Sequence, residues 1–224
     1  MDFMKAKALL EKNHIKFVKG ILVAKEKDLD KAKSLGFPLA MKVISKDILH
    51  KSDVGGVKLD IKNLDEAKKA FKEILTNSKK KMPKAKIDGI FVQKMIQGKQ
   101  IIIGGKLDEQ FGQTIVFGLG GIFVEVLKDV SLRICPIEEK DAKEMIAEIK
   151  GYPILKGIRG EKAINFKELE KALINTSNLL MKSKIKELDI NPLIATDKEI
   201  IAVDVRILIN MSKMKEHLSE RVTE

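Results

Sequence analysis

The sequence predicts an α/β or α+β fold. Segments with apolar residues at helical spacing alternate with short runs rich in β-branched residues, and no internal repeat or low-complexity stretch interrupts them. Its 224 residues can bury one substantial core or two smaller lobes without a disulfide or metal to hold them.

Taken in order, strand patterns occur at 39–44 and 56–61, followed by a helix near 64–78. That helix is read from Leu64, Ala67, Phe71, Ile74 and Leu75, with Asp65 and Lys69 as an i,i+4 pair on the wet side. The lysine-rich stretch through Pro83 ends it, and marks either a boundary between lobes or a solvated loop within one domain. Further strands follow at 89–95, 100–106 and 114–117. Ala142, Met145, Ile146 and Ile149 form a second amphipathic set. Leu169, Leu173 and Leu180 form a third, which starts after Asn165 with Glu168 three residues on. A strand pair at 185–191 and 200–207 closes the pattern.

A formal charge of +11, from 43 Lys and Arg against 32 Asp and Glu, suits nucleic acid, an anionic membrane surface or a phosphate-rich small molecule. Nine Phe, one Tyr and no Trp leave few stacking platforms, and no nucleic-acid-binding signature is present, so specific nucleic-acid binding is not expected. Without a long apolar run or a secretory leader, the chain is expected to be cytoplasmic and to have no membrane partner. The single Cys135 fits a reducing compartment and reads as a small buried residue.

The clearest local geometry is at 187–193, where polar and apolar residues alternate and one face carries Glu187, Asp189 and Asn191. If Asp197 and Lys198 form a two-residue turn, facing residues on the returning strand have numbers summing to 395, which sets Asn191 opposite Asp204. An amide oxygen and a carboxylate at that separation can share one hard cation such as Mg2+; the plainer alternative is a hairpin with a wet polar face. Lys42 lies in an apolar strand pattern, where its ammonium must reach solvent or meet an anion. Glycines at 55–56 and 118–121 follow strand patterns and would let backbone amides approach phosphate, or else form ordinary turns. His50 stands in a polar loop beside Lys51, Ser52 and Asp53, where an imidazole can attack phosphorus or simply sit in solvent.

Read together, these segments resemble the ATP-grasp (beta) subunit of ADP-forming acyl-CoA synthetases, relatives of the succinyl-CoA synthetase beta chain. The resemblance runs from about 5 to 207 and is carried by 35–42, 48–57, 111–112, 117–125, 157–160, and 187–193 with Asp204. It implies a two-lobed ATP-grasp fold holding ATP or ADP between its sheets, with lobes at 1–86 and 87–207 and a helical tail at 208–224. It further implies nucleotide contacts from Lys42, Val43, Ser45, Gly55, Gly56, Gln93, Lys94, Met95 and Gln100, and magnesium held by Asn191 and Asp204. His50, Lys51 and Asp53 would act in phosphoryl transfer, with Glu125, Arg159, Glu187 and Asp189 as further candidates. The family's CoA-binding and ligase domains are missing from 224 residues, so a separate CoA-binding alpha subunit is expected, whose phosphohistidine exchanges its phosphoryl group with ADP or ATP. The overall reaction implied is acyl-CoA + ADP + phosphate ⇌ acid + CoA + ATP.

The sequence departs from the family pattern at Gln100, where glutamate is usual, at Lys94, often an acid, and at Gln113, commonly a proline. Gln100 can hydrogen-bond a ribose hydroxyl but offers no charge to a metal-bound nucleotide. The departures motivate an alternative, a noncatalytic nucleotide-binding subunit that keeps the fold. A basic nucleic-acid-binding module ranks third.

Overall fold

The computed structural model describes residues 1–121, 124 and 126–209. Two compact units emerge: one comprises 18–96, the other 1–17 together with the chain from 97 onward. Helix α1 (Phe3–Lys12) opens the chain in the larger unit, with the Asp2 side chain accepting from Lys5 N. The Met1 ammonium donates to the Ile207 carbonyl at 2.9 Å, and Phe17 forms a parallel bridge with Ala202.

The smaller unit runs through β1 (Gly20–Val23), a 3-10 segment (Glu26–Leu35), β2 (Leu39–Ser45), β3 (Val57–Ile61), α2 (Leu64–Lys81) and β4 (Ile87–Lys94). Its strands form one antiparallel four-stranded sheet in the order β1-β4-β2-β3. The α2 helix starts where Asn63 accepts from Glu66 N at 2.9 Å while the Glu66 carboxylate accepts from Lys62 N at 2.8 Å. Asp65 and Glu66 in its first turn and Lys79, Lys80 and Lys81 in its last oppose the helix dipole at both ends. Ala67, Ala70, Phe71 and Ile74 pack in one core with Met41, Val43, Ile90 and Val92 from the sheet. Each of these side chains is buried, so the apolar stripe of α2 and one face of β2 and β4 remove each other from water.

The larger unit continues with β5 (Lys99–Asp108), β6 (Gly112–Leu119), β7 (Val130–Ile134), α3 (Glu139–Glu148), α4 (Tyr152–Leu155) and α5 (Phe166–Lys182). It ends with β8 (Ile185–Ala195), β9 (Ile200–Ala202) and β10 (Arg206–Ile209). Its sheet is antiparallel throughout, in the order β10-β8-β5-β6-β7, with β9 also paired to β8. Registered neighbours share a face, so Arg133, Ile115, Gly105, Leu188 and Ile207 form one row. This is the core face: a Cβ added to Gly105 would fall 2.4 Å from a methyl carbon of Leu180 on α5. The rows between it, Ile134-Thr114-Lys106-Glu187-Leu208 and Leu132-Val116-Gly104-Asp189-Arg206, make the opposite, open face.

The fold bears out the mixed class and the three amphipathic helices, including the Asn165 cap that accepts from Glu168 N at 3.1 Å. Cys135 is buried, and burial pushes its thiol pKa up. The compact units divide differently from the lobes expected at 1–86 and 87–207. Strand β4 hydrogen-bonds to β1 and β2, which shifts the division to 96, and residues 1–17 join the larger unit through Phe17 and Met1. Leu208 and Ile209, expected in the helical tail, belong to β10; the rest of that tail, 210–224, lies outside the described residues. Among the described residues no helix is long and apolar enough to cross a membrane.

Candidate functional site

In the larger unit the expected metal-binding pair sits where the sheet is broken. Leu193 pairs with Ala202 and Asp189 with Arg206, so the same register holds on both sides of an interruption spanning three residues on each strand. Asp204 therefore stands opposite Asn191, and within the break Val203 N donates to the Pro192 carbonyl at 3.1 Å. On its other edge β8 bulges: Ile101 pairs with Leu193 and Ile103 with Ile190, leaving Asn191 and Pro192 opposite Ile102 alone. A bulge re-aims side chains, and here Asn191 is exposed while its neighbours Ile190 and Leu193 are buried. The Asp204 carboxylate accepts from Val205 N at 2.9 Å.

The turn that sets this register is held by Thr196. Thr196 N and its hydroxyl both donate to the Glu199 carbonyl, at 2.9 and 3.0 Å, while the hydroxyl oxygen accepts from Glu199 N at 3.0 Å. Asp197 and Lys198 are thus the two central residues, as the spacing predicts. Glu187 and Asp189 occupy the open face, half-buried, in rows with Lys106 and Arg206. Arg206 was not among the sequence candidates, although the 395 rule pairs it with Asp189.

Gln100 lies exposed at the start of β5, with its carbonyl accepting from Gly120 N at 2.8 Å. Gln113 donates its side-chain amide to the Ile185 carbonyl at 2.7 Å, so it ties β6 to β8. Arg159 is exposed and has a left-handed backbone, φ 51°, between Gly157 and Gly160. Glu125 lies outside the described residues. Asp129, missed in the sequence, is a buried carboxylate accepting from Lys150 N and Gly151 N, both at 2.7 Å. It anchors the start of β7 to the turn before α4.

In the smaller unit, Lys42 pairs with Phe91 and Ala40 with Gln93, which sets Lys42 and Gln93 on the sheet face opposite α2. Lys42 is buried to 6% exposure, with its ammonium 5.4 Å from the centre of the Phe91 ring, a separation at which a cation is held by the ring's negative face. Gln93 is equally buried, and its side-chain oxygen accepts no hydrogen bond among the described residues. A buried amide oxygen without a donor is costly, and a donor on a bound ligand would relieve that cost. Val43 differs from the expectation: its side chain faces the α2 core and its N–H donates to the Gly56 carbonyl, which leaves neither for a ligand. Ser45 at the end of β2 accepts from Asp47 N at 3.1 Å. Met95 N donates to the Pro38 carbonyl at 3.0 Å and its sulfur accepts from Asp60 N, while Lys94 is exposed.

The His50 loop is pinned at both ends. Asp47 accepts from Lys86 N at 2.7 Å, Lys81 donates to the Asp53 carbonyl, and Gly56 N donates to the Lys51 carbonyl at 2.8 Å. Between these points His50 and Asp53 are exposed, and Lys51 is half-buried. Among the described residues no hydrogen bond joins His50 to Asp53, so the Asp53 carboxylate does not orient the imidazole in this structure. Gly55 has φ +64°, and a Cβ on Gly56 would lie 2.5 Å from a Val43 methyl carbon and 2.9 Å from the Lys51 carbonyl oxygen.

As donors, Asn191 and Asp204 offer an amide and a carboxylate oxygen, both hard ligands suited to magnesium. Among the described residues no cluster of three or more His, Cys, Asp or Glu could hold a metal. A pair of this kind suits Mg2+, which keeps several waters and is completed by substrate phosphates.

A family model described as an ATP-grasp domain matches residues 1–209. The beta subunit of acetate–CoA ligase (ADP-forming) I from Pyrococcus furiosus is 48% identical over 177 residues, covering 78% of this chain and 76% of that one. The single-chain acetate–CoA ligase (ADP-forming) I from Archaeoglobus fulgidus is also 48% identical, over 80% of this chain but only 26% of its own length. Among solved structures, the dinucleotide-forming acetyl-coenzyme A synthetase 1 of Ca. Korarchaeum cryptofilum, bound to coenzyme A and Ca-AMPCP, superposes with a TM-score of 0.90 at 39% identity, over 94% of this chain and 93% of that one. A second structure of that enzyme, with Mg-AMPPCP and its phosphohistidine segment pointing towards the nucleotide-binding site, gives 0.80 at 36%, over 93% and 92%.

Gly56→Ala forces its new methyl group into Val43 and the Lys51 carbonyl. It should cost about 1–3 kcal/mol of stability in chemical denaturation and open the 47–56 loop to proteolysis. An unchanged midpoint and cleavage pattern would show that the loop does not depend on this close approach.

Proposed function

Because the chain belongs to the ATP-grasp family of ADP-forming acid–CoA ligase beta subunits, we propose that it moves a phosphoryl group between a phosphohistidine on a CoA-binding alpha subunit and ADP. One observation in this chain supports the reading: the hairpin keeps the same register on both sides of its interruption, which sets positions 191 and 204 opposite each other. The partner is supported by the relatives: the match covers only 26% of the single-chain enzyme but 76% of a protein named as a separate beta subunit.

The transfer to ADP forms one P–O bond and breaks one P–N bond. A terminal phosphate oxygen of ADP attacks phosphorus, and the departing imidazole nitrogen keeps the electron pair and takes up a proton. Positioning and charge stabilisation are what this step asks of a protein. Lys42 supplies a desolvated cation for the phosphates, and Gln93 offers its buried oxygen to a donor such as an adenine amino group. Ser45, the Lys94 side chain and the Gln100 amide supply further hydrogen bonds to nucleotide, whereas the N–H groups of Gly55, Gly56, Lys94 and Met95 are already used within the fold and shape the loop and strand end instead. Asn191 and Asp204 hold magnesium, which when bound neutralises charge on the phosphoryl oxygens. Arg206, Glu187 and Asp189 shape the field around that pair; Arg159 adds a cation. His50 and Lys51 meet the phosphoryl group in transit, His50 as its transient acceptor or as its guide. The acid consumed or released is acetate or a related acid, following the acetate–CoA ligases at 48% identity.

Asp204→Asn removes one charge and keeps the shape. It should weaken the magnesium dependence of nucleotide binding in calorimetry by at least ten-fold and lower turnover with the alpha subunit, with partial recovery at high magnesium. An unchanged magnesium response would return Asp204 to the wet face of a hairpin. His50→Ala should abolish ATP formation from ADP while leaving nucleotide affinity and alpha-subunit binding intact; a fully active variant removes His50 from the transfer. Acid-labile phosphate trapped on the wild-type chain identifies the acceptor role, and its absence beside an inactive variant identifies the guide.

A further inference from the structure

The open face of the larger sheet is chemically divided. At its β8–β10 side it carries Glu187, Asp189 and Arg206; at the other side β7 presents Val130, Leu132 and Ile134, which are 41, 56 and 52% exposed. Val126 and Leu127, just before β7, are exposed as well. Strand β7 inverts the usual pattern: its polar residues Ser131 and Arg133 face the helices, where Arg133 pairs with Glu148 at 2.8 Å, and its apolar residues face outward. It is also the last strand of its sheet, so one of its backbone edges is unpaired among the described strands. Edge strands are ordinarily protected by outward charges or proline. The outward side chains of β7 carry neither, and exposed apolar stripes of this kind mark interaction surfaces.

We propose that the β7 stripe is the surface on which the CoA-binding alpha subunit docks, an inference that rests on the function proposed above. The occupant follows from two observations. The match covers 26% of a single-chain relative, so the remaining polypeptide of such an enzyme has to meet its counterpart of this domain. The stripe lies on the same sheet face as Asp189, two strands of the intervening sheet away, through the row Leu132-Val116-Gly104-Asp189. A partner seated on β7 therefore lands beside the groups to which it must bring its phosphoryl group, whereas a second copy of this chain has nothing to deliver there. Apolar side chains also give no hold to phosphate or to a nucleic-acid backbone.

The test replaces Leu132 and Ile134 together with Glu, and Leu132 alone with Ser as a milder change, and measures association with the alpha subunit encoded in the same genome by sedimentation velocity. Both side chains are more than half exposed, so Mg-ADP affinity of the isolated chain should be unchanged and serves as the folding control. The expected result is at least a ten-fold loss of alpha-subunit affinity in the double variant and a smaller loss in Leu132→Ser. Undiminished affinity overturns the proposal. So does a wild-type chain that dimerises alone through this face, with dimerisation lost and alpha-subunit affinity kept in the variant. If the wild-type chain binds Mg-ADP but no alpha subunit, the partner in the functional reading fails along with the docking surface; if it binds alpha subunit but no nucleotide, only the functional reading fails.

Discussion

The structure depends on the register of one hairpin. Thr196 closes the turn around Asp197 and Lys198 with three hydrogen bonds, and from there the returning chain stays in phase with β8 through β9, across an interruption, and into β10. A slip of one residue would turn every side chain of the returning strand to the other face. It would move Ile207 out of the core and Asp204 away from Asn191. The packing of the larger unit and the composition of its candidate site are therefore fixed by the same few bonds.

The two sheets share a division of labour, each described within its own unit. One face of each packs on helices, α2 in the smaller unit and α3 and α5 in the larger, and carries most of the buried apolar residues of its sheet. The other face carries the polar groups that chemistry can use. Lys42 and Gln93 are buried there in spite of their polarity, with Lys42 against the Phe91 ring and the Gln93 oxygen without a donor. Burying such groups opposes folding, and a ligand donor to the Gln93 oxygen would offset part of that cost.

Much of this was legible in the sequence, where periodicity and local chemistry coincide. The alternation from Glu187 to Asn191 with a polar two-residue turn gave the register, and the Asn165 cap with Glu168 three residues on marks where α5 begins. Strands β1 and β7 escaped because they are short and lie at sheet edges, and β7 turns its apolar side outward, so its pattern gives no sign of a buried face. The division between units was misplaced at 86 because the lysines and Pro83 mark only the end of α2. What assigns β4 to the smaller unit is its pairing with β1 and β2, a contact between distant segments that composition does not carry. Asp129 was missed for a related reason, since its partners are backbone amides of Lys150 and Gly151. Val43 was among the nucleotide contacts that the resemblance implied, whereas alternation along β2 turns it into the core.

Gln100 is exposed at the start of β5, where an amide in place of the glutamate usual in the family would leave the fold intact and change the charge offered to a nucleotide. The measurement that bears most directly on the central claim is a single turnover: alpha subunit carrying labelled phosphohistidine is mixed with this chain, magnesium and ADP, and the label is followed in quenched samples. A transferring subunit delivers the label to ATP within the lifetime of one turnover, and only when this chain is present. Label that stays on the alpha subunit, or leaves it as inorganic phosphate at the same rate without this chain, contradicts the account and identifies a nucleotide-binding subunit that has kept the fold and lost the reaction.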